Sequence, residues 1–66
     1  MDQDPVSFAY VLLKAVRERV ELTQQAILIG GAKTMEDYRA LTGELKGLQY
    51  TEREITEALD KYEKED

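Results

Sequence analysis

Few residues in this chain could do chemistry. Its single serine, Ser7, has no histidine or cysteine in the 66 residues to activate it, and a hydroxyl without a base is a poor nucleophile. Glu54 and Glu57, three apart, bring two carboxylates to one side of a helix. Such a pair can contribute to a hard-cation site, but a calcium loop needs a contiguous run of oxygen ligands around a central glycine, and that run is missing. The turn Gly30-Gly31-Ala32-Lys33 has the residue types of a phosphate cradle. It lacks the Gly-x-x-x-x-Gly-Lys-Ser/Thr spacing and the preceding strand. Disulfides and a structural zinc are ruled out by the same inventory. The expectation is a protein that is not an enzyme and that needs no cofactor and no metal.

A chain of 66 residues is at most one small domain, below the size at which a single core comfortably outweighs chain entropy. With disulfides and metal excluded, the remaining support is association. The net charge of −5 disfavours unspecific contact with a phosphate backbone. Residues 50–66 carry seven acids against three bases, a net of −4, which reads as a solvated helix end. The opening residues lack a basic n-region, and no apolar run approaches the roughly 20 residues that span a bilayer. A soluble, intracellular product without a membrane partner is expected.

Two helices account for the pattern. Asp4 before Pro5 is a cap followed by a proline at the first helical position, and helix 1 should run over about 5–28. Gly30 and Gly31 then turn the chain within 29–33. Thr34 caps helix 2, with Asp37 in a capping-box-like position, and that helix should run over about 34–61 before an acidic tail, 62–66. The short link favours antiparallel neighbours. The fold class expected is all-α, an antiparallel two-helix hairpin over residues 1–66 that completes its core by oligomerisation or by docking on a partner.

One stripe on helix 1 holds Val6, Ala9, Leu13, Val16, Val20 and Ile27, with Gln24 as a polar interruption. Helix 2 answers with Tyr38, Leu41, Leu45, Leu48, Ile55, Leu59 and Tyr62, interrupted by Glu52. Both alternate three- and four-residue steps, the spacing of knobs-into-holes packing. A tight link would set Ile27 near Met35, Val20 near Leu41, Leu13 near Leu48, Val6 near Ile55 and Glu52 near Tyr10. Leu59 and Tyr62 would then project past the hairpin without intramolecular cover. Each helix also has a second row: Phe8, Leu12, Ala15, Leu22 and Ala26 on helix 1, about 120° from its first, and Ala40, Gly43, Gly47 and Ala58 on helix 2, well away from the leucine stripe. One partner helix cannot cover both rows. Interior glycines cost about 1 kcal/mol each relative to alanine, so Gly43 and Gly47 are expected to line a close approach by another helix. The candidate interface is Phe8, Leu12, Ala40, Gly43, Gly47, Tyr50, Leu59 and Tyr62.

In size and architecture such a hairpin resembles the Rop-like plasmid copy-number regulators, four-helix-bundle dimers that bind RNA. Here Lys14, Arg17, Lys33, Arg39 and Lys46 are interleaved with Glu18, Glu21, Glu36 and Glu44, which reads as a salt-bridged solvated surface rather than a nucleic-acid site. The second half of the chain, through Gly30, Gly31, Tyr38, Arg39, Leu41, Gly43, Gly47, Leu48, Glu52 and Ile55, resembles a family of very short tailed-bacteriophage proteins. In these a Gly-Gly turn precedes a Tyr-Arg-x-Leu-x-Gly-x-x-x-Gly-Leu run. That resemblance implies a multi-copy virion or assembly protein, an accessory of the capsid or of the portal and head-to-tail region. Its partners would be itself or a larger phage structural protein, met in the host cytoplasm during assembly and in the particle afterwards. The alternative is a small acidic regulator or inhibitor that binds a host protein.

Overall fold

The computed structural model describes residues 4–64, and these form two helices, α1 (Pro5–Leu28) and α2 (Met35–Lys64), packed against each other. The start of α1 follows from Asp4, whose Oδ1 accepts the Ser7 backbone N–H at 2.8 Å while Pro5 occupies the first helical position. Its end is a Schellman turn. The Gly31 N–H donates to the Ala26 carbonyl at 2.8 Å and the Gly30 N–H to that of Ile27 at 3.4 Å, with Gly30 at φ +79°. Both positions demand glycine, for different reasons. Gly30 needs the left-handed backbone, whereas a Cβ on Gly31 would stand 2.7 Å from the Ala26 carbonyl oxygen.

α2 begins at Thr34, whose Oγ1 accepts the Asp37 N–H at 3.0 Å. Asp37 reaches back in turn, but its shorter side chain accepts from the Lys33 N–H at 3.3 Å, one residue before the cap. Glu36 and Asp37 in the first turn and Lys61 and Lys64 in the last complement the helix dipole. The helix continues through Lys64, beyond the expected end near Lys61, with a Lys64–Asp60 pair at 3.2 Å spanning its last turn. The final two residues of the expected acidic tail, Glu65 and Asp66, lie outside the described residues.

The pairing register differs from the one expected. Glu52 bonds Arg17 across the helices at 2.8 Å, about two turns of α1 nearer the link than Tyr10. Glu44 accepts from Arg19 at 2.8 Å and stands 3.4 Å from the Thr23 hydroxyl. The reason is geometric. Stripes with a heptad spacing face each other equally well after a seven-residue slip, so the link decides, and the Schellman turn with the stretch to Thr34 does not fold back as tightly as assumed. The shift brings Val6, Ala9, Ile55, Leu59 and Tyr62 together around one groove at the open end. Leu59 does not project uncovered; it is only 6% exposed, and with Leu13 at 4% it forms the buried apolar centre of the hairpin. Tyr62 also lies against the start of α1 beside Pro5, although half of it remains exposed.

Gln24 is exposed, and the buried polar residue is Thr23, 4% exposed, whose hydroxyl donates to the Arg19 carbonyl at 2.8 Å. Strict alternation of three and four from Leu13 through Val16 and Val20 reaches 23, not 24. The Thr23 hydroxyl is satisfied within its own helix, which lets a polar residue stand buried at this position.

Candidate interaction surface

The hairpin measures 49 × 23 × 14 Å, so its thinnest dimension is close to the diameter of a single helix with side chains. Stable domains bury their apolar elements between at least two layers. Here there is one, and both broad faces are open.

Those faces differ in chemistry. On one side of the Leu13–Leu59 seam the surface is lined by Tyr10, Arg17, Thr56, Asp60 and Glu63. On the other, Phe8 and Leu12 of α1 meet Ala58 and Tyr62 of α2 around a groove of about 260 Å³ floored by Val6, Ile55 and Leu59. Toward the link the same side continues through Leu22 and Ala26 against Leu41, interrupted by the Arg19–Glu44 pair. The second apolar row of α1 therefore shares one face with Ala58 of α2. Ala40, Gly43 and Gly47 lie on the Ala58 side of α2 by helical spacing, and all three are exposed. A Cβ at Gly43 or Gly47 would meet nothing within 4 Å.

Of the expected interface residues, Phe8, Leu12 and Tyr62 converge at the open end, while Ala40, Gly43 and Gly47 occupy the remainder of the same face. Tyr50 is exposed and lines none of these grooves, and the Arg53 guanidinium lies 5.7 Å from its ring centroid, a cation–π distance. Leu59 belongs to the floor of the groove instead of a protruding end. Leu22, Ala26 and the Arg19–Glu44 pair were absent from the expected interface residues. Their signal is the second-row spacing on α1 combined with the observed register.

Electrostatically the face is close to balanced where it is crossed by charge, because Arg19 and Glu44 neutralise each other at 2.8 Å. Arg17 is likewise engaged, by Glu52 on the seam. Among the described residues no three acidic side chains gather as a metal site would need, and no helix is long and apolar enough to cross a membrane. Comparison of the chain with known protein families, curated proteins and solved structures finds no match.

Proposed function

We propose that this protein acts by association, as a non-catalytic structural or assembly component that docks through the face carrying Phe8, Leu12 and Tyr62. One observation carries the reading: a hairpin one helix thick leaves its most apolar groove open on that face. Phe8, Leu12, Leu22 and Tyr62 are exposed on that side, and such a cluster on a small chain marks an interaction surface. The likeness of residues 30–55 to short tailed-phage proteins supports a role in the particle, as a multi-copy accessory of the capsid or of the portal and head-to-tail region, assembled in the host cytoplasm. Mass spectrometry of purified particles tests this. The expected result is the chain at a defined copy number per particle.

A second reading draws on the exposed carboxylates Glu54, Glu57 and Asp60 along the outer side of α2. These suit a small acidic regulator that binds a host protein. Absence from particles together with a co-purifying host factor selects that reading over the first.

A further inference from the structure

Two apolar features of the hairpin lack a partner within the chain, and they lie at its opposite ends. One is the groove at the open end. The other is the link, where Leu28 and Ile29 are each 82% exposed and Met35 63%, the most exposed large apolar side chains among the described residues. Turns are built mainly from small and polar residues, so bulky apolar side chains held out into solvent there call for a partner. A molecule 49 Å long keeps its own tip out of its own groove. We infer that the tip of one copy, Leu28 and Ile29, seats in the groove of the next, so that the chains associate head to tail. This rests on the reading of that groove as the docking site, and it names the occupant.

Shape and charge both select this occupant. A cavity of roughly 150 Å³ accepts a benzene-sized group, so a groove of about 260 Å³ has room for two adjoining branched side chains. Contact between like ends offers no such fit, because two grooves leave the space between them empty and two tips have no hollow to enter. Beside Ala58, on the rim of the groove, Glu54, Glu57 and Asp60 outnumber Lys61 and Lys64, and residues 50–66 carry a net charge of −4. Two open ends therefore repel each other. The tip has the opposite sign: Lys33 is the one charge in residues 24–35, and it is exposed. A contact between two different patches is heterologous, and it builds a ring where the rotation closes and a filament where it does not.

Because the two patches differ, variants that each spoil one of them should complement. Ile29→Asp spoils the tip and Phe8→Asp the groove, and each alone should associate more than about 10-fold more weakly than the unaltered chain. Circular dichroism should show the helices retained in both. An equimolar mixture should recover a dimer and nothing larger, since the intact tip of the Phe8→Asp chain meets the intact groove of the Ile29→Asp chain. A mixture that associates no better than its components overturns the head-to-tail contact. If either substitution melts the helices, a cysteine pair decides instead, because the chain has no cysteine of its own. Ile29→Cys mixed with Ala58→Cys, both at exposed positions, should oxidise to a dimer joined between those two positions, while each variant alone should stay uncrosslinked. Absence of the mixed dimer overturns the contact. An unaltered chain that is monomeric at about 100 μM yet present in purified particles overturns the second copy as occupant and leaves the proposed function standing.

Discussion

The four glycines occupy three different situations, and substitution separates them. At Gly31 a methyl group meets the Ala26 carbonyl oxygen at 2.7 Å, and backbone cannot yield as a flexible side chain would. Gly31→Ala should therefore lower the melting temperature, by roughly 1–3 kcal/mol in stability. At Gly47 the new methyl group meets nothing within the hairpin. Helix propensity alone then acts, and Gly47→Ala should stabilise the dilute chain by about 1 kcal/mol. If the face is covered on association, the same methyl group should cost roughly 1–3 kcal/mol there. Thermal melts at low and high protein concentration read the two signs separately, and a gain at both concentrations would show that the row stays in solvent. The glycine turn was legible from residue types. Thr23 was legible only from strict spacing, because polarity drew the interruption one residue on, to Gln24.

At the scale of the element, the helices and their facing stripes follow from apolar periodicity and capping residues, but the register does not. A heptad repeat is blind to a slip of seven, so the stripes are compatible with Glu52 beside Tyr10 and with Glu52 beside Arg17. Only the conformation of residues 29–34 distinguishes them. A double-mutant cycle tests the outcome. Glu52→Lys should destabilise the hairpin by setting two cations together, Arg17→Glu in the same chain should restore it, and the coupling should lie near 0.5–1 kcal/mol for a partly exposed pair. A cycle between Tyr10 and Glu52 should show no coupling. Gln24→Leu, at an exposed position, should change stability by less than about 0.5 kcal/mol. The same register determines which side of the hairpin each second row occupies. The rows themselves were legible, while their union into one face required the helices in place.

For the whole molecule the decisive quantity is how little the hairpin hides. Leu13 and Leu59 are the buried apolar residues among those described, and the radius of gyration of 15.1 Å exceeds the roughly 11 Å of a compact domain of this length. Apolar burial on this scale leaves chain entropy largely unopposed. Stability must then depend on how much of the chain is associated, and mass action makes that dependence measurable. If two copies fold and associate together, a hundredfold rise in concentration adds about 2.7 kcal/mol per dimer. An unfolding entropy near 2.1 cal/mol/K per residue, summed over both copies, converts this to a rise in melting temperature on the order of 10 °C. Melting curves followed by circular dichroism from about 2 to 200 μM supply the measurement. A melting temperature that stays constant across that range, with cooperative unfolding, would mean that the hairpin sustains itself on the Leu13–Leu59 seam alone.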